Sequence, residues 1–187
     1  MTKKYLLCLT LLPAITGICG CSSPWGEFPE PAIATCNEEL PEGVPELYGY
    51  YATESVENAQ AFFSDGLGRS PVEALLASIS FSNNAYHIEQ CGMRIVITGG
   101  SSAQNFVIHD MIADGTLENG VDDPANGVTA SAVYEGDTHV LNGHRAEGDF
   151  VVERRMISDD SLETIFRAAE QDAWMRVVLR RESFPTH

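Results

Sequence analysis

Positive charge is scarce in this 187-residue chain, with 11 Lys and Arg against 27 Asp and Glu and a formal net charge of -16. Its two lysines, Lys3 and Lys4, stand at the extreme N-terminus. So few cations argue against nucleic acid as a partner, because that affinity rests on cationic contacts to phosphate. They also argue against a polybasic grip on anionic lipid. Signature motifs of catalysis are missing as well: there is no Gly-x-Ser-x-Gly, phosphate loop, His-Glu-x-x-His or Cys-x-x-Cys. The expectation is therefore no enzyme and no cofactor. Past the N-terminus, no stretch approaches the roughly 20 apolar residues that a spanning helix needs. What the chain does have is 44% hydrophobic and 20% charged residues, a balance that can bury a core. Its length suits one domain of ordinary size.

The N-terminus reads as an address. Lys3 and Lys4 precede a mostly apolar run of 14 residues, Tyr5 to Ile18, broken by Pro13. A short basic segment followed by an apolar stretch of that length is the pattern of an export signal. At its end, Ile18-Cys19-Gly20-Cys21 resembles the lipobox of bacterial lipoprotein precursors. The resemblance implies that residues 1–20 are removed and that Cys21 is lipidated through a thioether to diacylglycerol. Its new amino group would carry a further acyl chain such as palmitate. Two or three chains on one residue make a lasting anchor, since each buried CH₂ contributes about 0.8 kcal/mol. Ser22 in place of Asp implies, by the same resemblance, the outer membrane facing the periplasm, or the cell surface. An ordinary signal cut nearby would instead leave a soluble secreted protein.

Cleavage before Cys21 would remove both lysines and take the charge from -16 to -18. Cys8 and Cys19 would leave too, so Cys36 and Cys91 remain once Cys21 carries lipid. In an oxidising compartment two remaining cysteines read as one disulfide, the alternative being two buried free thiols. Residues 21–45 form the anchor and a Pro-rich tether holding five of the nine prolines. Such chain is stiff and extended; residues 22–35 reach at most about 45 Å. Trp25 and Phe28 either dip into the membrane interface or pack loosely.

Residues 46–187 read as one antiparallel β domain. LYGYYATES suits a strand, NAQAFF a short strand or a helical turn, and SPVEALLASI a helix. Ser70 fits the N-cap, Pro71 the first helical position, and Glu73 completes a capping box. Val72, Leu75, Leu76 and Ile79 form an apolar stripe expected to pack on a sheet. Then come AYHIEQ, MRIVITG, NFVIHDMIA, VTASAVY, HVLNG, DFVVERRMI, LETIFRAA and WMRVVLRR, separated by turn residues. Strands at such intervals point to a sandwich or barrel. SDDSLETIF could begin a helix, but Ser158-Asp159-Asp160-Ser161 suits a hairpin and the segment reads as strand. Gly49 in the first strand, the meander order, and a last strand with Trp174, Arg176, Arg180 and Arg181 resemble a calycin or lipocalin-like barrel over about residues 46–182.

Few residues suggest chemistry. His139 and His144, with His109 and Asp110 on another strand, could form a zinc site, although isolated core or surface histidines are commoner. Asp114 to Gly127 is rich in oxygen ligands but lacks EF-hand spacing, so a solvated hairpin loop competes with calcium. No metal is expected. The functional expectation is a non-catalytic binding module for a small hydrophobic or amphipathic ligand, its cavity carrying a few polar groups such as Arg154 or Tyr134. The alternative is an envelope interaction or inhibitor lipoprotein whose acidity attracts a basic protein. That acidity could equally serve solubility or a salty habitat.

Overall fold

The computed structural model describes residues 33, 35–101, 104–119, 128–144, 148–169 and 171–183. The export signal, the lipobox with Cys21, Trp25, Phe28 and the last part of the Asp114–Gly127 stretch lie outside the described residues. Among those described, ten strands form one antiparallel sheet that curls into a nearly closed barrel. They are β1 (Gly49–Glu57), β2 (Ala85–Cys91), β3 (Arg94–Ser101), β4 (Gln104–Ile112), β5 (Glu118–Asn119), β6 (Thr129–Glu135), β7 (Thr138–His144), β8 (Phe150–Ser158), β9 (Ser161–Ala168) and β10 (Ala173–Glu182). Their order is β4-β3-β2-β1-β10-β9-β8-β7-β6-β5. The chain is therefore an up-and-down meander whose last strand returns to pair with its first. The edges left over are β4 and β5. Gly115 N donates to Ala132 O at 2.8 Å beside that seam, and Met111 of β4 packs with Ala130 of β6 in one cluster.

The helical insertion between β1 and β2 covers one end of the barrel. Asn58 takes a left-handed φ of 56°, a conformation Asn tolerates. It starts α1 (Ala59–Ala61), which passes into a π-helical turn over Phe62–Gly66. The segment NAQAFF is thus helical and not a strand. α2 (Pro71–Ser82) begins as its sequence indicates: Glu73 N donates to Ser70 Oγ at 3.4 Å and Ser70 N donates to Glu73 Oε2 at 3.0 Å.

The stripe expected to pack under α2 faces outward instead. Val72, Leu75, Leu76 and Ile79 are 47–67% exposed, while Ala74 is fully buried and Ala77 and Phe81 pack on the core. The helix is apolar around most of its circumference, so periodicity alone did not select a face. Small residues at 74 and 77 let the backbone sit close to the barrel.

The opposite end is closed by a strap. Cys36 is bonded to Cys91 at the end of β2. Leu47 is fully buried; its N–H donates to Gln90 Oε1 at 2.7 Å and its carbonyl accepts from Tyr51 Oη at 2.9 Å. Serine and aspartate at 158–161 form the β8–β9 hairpin, so SLETIFRA is strand.

The candidate ligand cavity

Strand register assembles the polar heart of the barrel. Tyr134 pairs with His139, His139 with Arg154, Arg154 with Thr164, and Thr164 with Val177. These residues form one row across β6 to β10. In β8, alternation sends Phe150, Val152, Arg154 and Met156 to one face and Glu153 and Arg155 to the other. The second set rides the outer surface, where Arg155 donates to Glu163 at 2.7 Å and Arg167 to Glu153 at 3.3 Å.

Inside lies a cavity of about 370 Å³. Its wall is mostly apolar, with Ile88, Ile97, Leu141, Val152, Phe166 and Leu179 among its residues. Ser80 and Phe81 of α2 contribute as well, which makes α2 its lid. Polar groups on the wall include Tyr86, His109, Arg154 and Thr164. A volume of this order falls within the range of small-molecule sites, which are apolar with a few placed polar groups.

Arg154 is the unusual member. It is 8% exposed, and among the described residues no carboxylate pairs with it. A buried Arg is rare without a paired acid. Its guanidinium makes a long contact, Nη1 to His139 Nδ1 at 3.4 Å. Burial pulls its pKa down to about 10, partly offset by Tyr86 and Tyr134. Burial, then Arg154, brings His139 down to about 3. His109 is driven well below 6.5 by burial first, then by Arg154 and His139. Both imidazoles are thus neutral near pH 7. Their rings meet edge to face at 5.4 Å, and Tyr134 meets His139 at 5.3 Å. The Nε2 atoms of His109 and His139 are buried without a hydrogen-bond partner.

Sequence expectations fare unevenly here. Arg154 lies on the cavity wall as anticipated. Tyr134 stands one layer behind it, accepting from Gln90 Nε2 at 3.0 Å. The zinc set separates: His109 and His139 meet inside, but His144 pairs with Asp149 at 2.9 Å on the surface, and Asp110 accepts two 2.9 Å hydrogen bonds from Arg94. Asp114 of the acidic stretch instead accepts from Thr116 N at 2.8 Å. On the closing strand, Arg176 bonds Glu163 at 2.6 Å and Glu57 at 2.9 Å on the outside, and Arg181 reaches Tyr51 Oη at 3.0 Å. Tyr86 and Thr164 were not anticipated, since each reads as an ordinary strand residue.

No protein-family model matches this sequence, and no curated protein sequence matches it. Solved structures do share the fold. A structure titled REP1-NXSQ fatty acid transporter matches with a TM-score of 0.62 at 15% identity, covering 74% of this chain and 97% of the other. A point variant of that transporter gives 0.59 at 16% identity, covering 73% and 98%. Fatty-acid-binding protein 1 of Echinococcus granulosus gives 0.61 at 11% identity, also covering 73% and 98%. At these identities the likenesses establish the barrel fold alone.

Proposed function

We propose that this chain is a non-catalytic carrier of a small amphipathic acid, held at the cell envelope by lipid on Cys21. The observation that carries the ligand reading is Arg154: a buried guanidinium without a partner acid, on the wall of an apolar cavity of about 370 Å³. A carboxylate entering head-first supplies the missing anion while its tail covers the apolar wall. The names of the structural neighbours, a fatty acid transporter and a fatty-acid-binding protein, support this choice of ligand class. The anchor rests on the sequence pattern Ile18 to Cys21. It is compatible with the fold, because the Cys36–Cys91 bond ties the N-terminal chain to the barrel end opposite α2, which leaves the lid free.

Two measurements test the proposal. Titration with sodium laurate should show one bound molecule per chain, and Arg154→Met should weaken it while leaving 1-dodecanol binding in place. If neither laurate nor dodecanol binds, the carrier reading falls. Cys21→Ser should move the protein from the membrane to the soluble fraction; unchanged fractionation would remove the anchor.

A further inference from the structure

We propose that His109 is the second head-group contact of the cavity, sharing the two oxygens of an acid ligand with Arg154, and that the anion enters together with a proton. This rests on the carrier reading and adds to it a specificity determinant and a control by pH.

Three observations carry the inference. His109 of β4 and Arg154 of β8 both line the cavity, and both stand beside His139, the imidazole rings 5.4 Å apart and Arg154 Nη1 3.4 Å from His139 Nδ1. His109 is 4% exposed, and its Nε2 has no hydrogen-bond partner. An orphaned buried nitrogen is costly, and a ligand oxygen that satisfies it recovers that cost on binding. The third observation is the position of His139. Its Nδ1 faces an Arg154 N–H, so Nδ1 accepts and the proton of the neutral ring sits on Nε2. His139 is absent from the cavity wall; it braces Arg154 from behind, leaving His109 as the imidazole a ligand can touch.

Charge then couples the site to protons. The charged and titratable groups acting on His109 are Arg154 from β8 and His139 from β7; the cavity wall beside it also carries Tyr86 from β2 and Asp110. Its strand neighbour Asp110 is taken by Arg94. In the empty barrel, burial and the Arg154 charge keep His109 neutral. A bound carboxylate offsets the Arg154 field and favours the imidazolium, raising the affinity of His109 for a proton. Linkage fixes the sign: if the anion raises that affinity, the proton equally strengthens the anion, so binding tightens as pH falls. Acids are thereby favoured over alcohols and esters of the same chain length.

The test is calorimetric titration of the exported chain carrying Cys21→Ser with sodium laurate, in phosphate and in Tris. The difference in heat between the two buffers counts protons. Laurate should bind with net proton uptake and about threefold tighter at pH 6.5 than at pH 7.5, where one full proton per ligand would give about tenfold. 1-Dodecanol should bind with no uptake. His109→Gln keeps a donor that cannot titrate; it should bind laurate more weakly than the parent at pH 6.5 and lose both the uptake and the pH slope. Laurate binding with equal heats in both buffers, or an unchanged slope in His109→Gln, overturns the inference and leaves the carrier intact. Failure of laurate and dodecanol alike would strike the carrier reading itself.

Discussion

Arg154 Nη1 lies 3.4 Å from His139 Nδ1 in the barrel interior, a cation braced by a neutral imidazole with no acid beside them among the described residues. Such an arrangement is unfavourable for the empty protein. Desolvating a charge without a partner costs several kcal/mol, and replacing it with an apolar side chain of similar length often stabilises. Arg154→Met should therefore raise the stability of the ligand-free protein by about 1–3 kcal/mol in urea unfolding. The same change should weaken laurate at least tenfold. A loss of stability would show that Arg154 has a structural role.

Histidine and glutamate give the protein two separate acid limbs. His139 falls to about 3, with burial the leading cause, and His109 is also strongly lowered. A group whose folded pKa is depressed contributes stability fully above its unfolded pKa and loses it as pH falls towards the folded value. Decline should thus begin near pH 6.5, the ordinary histidine value, and continue downwards. Glu163 adds a second step. Burial pushes its carboxyl up, but Arg176 and Arg155 outweigh that and hold it below its ordinary 4.5. Its contribution should vanish as pH drops below that point. Urea midpoints between pH 8 and 3 should show both limbs, with His139→Gln flattening the first and Glu163→Gln the second.

The architecture was legible because its signals were local. Ser70, Pro71 and Glu73 write a helix start that any context would honour. Serine and aspartate at 158–161 write a hairpin, and Cys36 and Cys91 were the pair left after the export reading. The β8 alternation placed Arg154 on one face, and only closure of the barrel decides that this face is the interior. The face of α2 was misjudged because Val72, Leu75, Leu76 and Ile79 are no less apolar than the residues it buries. Sequence put His109 and His139 in one possible zinc set with His144, but the meeting of the first two without the third was not legible. It depends on β4 and β7 facing one another across a closed sheet, which strand patterning does not encode.

Gly143 lies against an aromatic wall. It pairs with Phe150 across β7 and β8, and a Cβ placed there would collide with the Phe150 ring. Gly143→Ala must therefore displace Phe150, itself a cavity-lining residue. Overpacking of this kind costs about 1–3 kcal/mol. Laurate affinity should fall, whereas 1-octanol, with a shorter tail, should be less affected. Equal losses for both ligands would show that the ring moves away from the cavity.

The outer face of α2 predicts tolerance. Val72, Leu75, Leu76 and Ile79 project into solvent, and exposed substitutions usually shift stability within about 0.5 kcal/mol. Leu75→Gln with Leu76→Gln should leave the urea midpoint nearly unchanged. Ala74→Leu, on the fully buried side, should destabilise through overpacking by about 1–3 kcal/mol. The reverse ranking would mean that the helix is rotated about its axis.

The strap offers a last prediction. The Cys36–Cys91 bond spans a sequence separation of 55, a loop whose closure restricts the unfolded chain by about 4 kcal/mol in the entropic account. The strap has other holds. Gln90 Nε2 donates to Pro45 O at 3.1 Å and to Tyr134 Oη at 3.0 Å, and Leu47 stays buried against Tyr51. Cys36→Ser with Cys91→Ser should therefore lower stability by about 2–4 kcal/mol without opening the barrel floor. Laurate affinity should be unchanged under conditions where the variant remains folded, because Arg154 and the lid do not touch the bond. A large fall in affinity at full folding would show instead that the disulfide holds the Gln90–Tyr134–His139 stack in place behind Arg154.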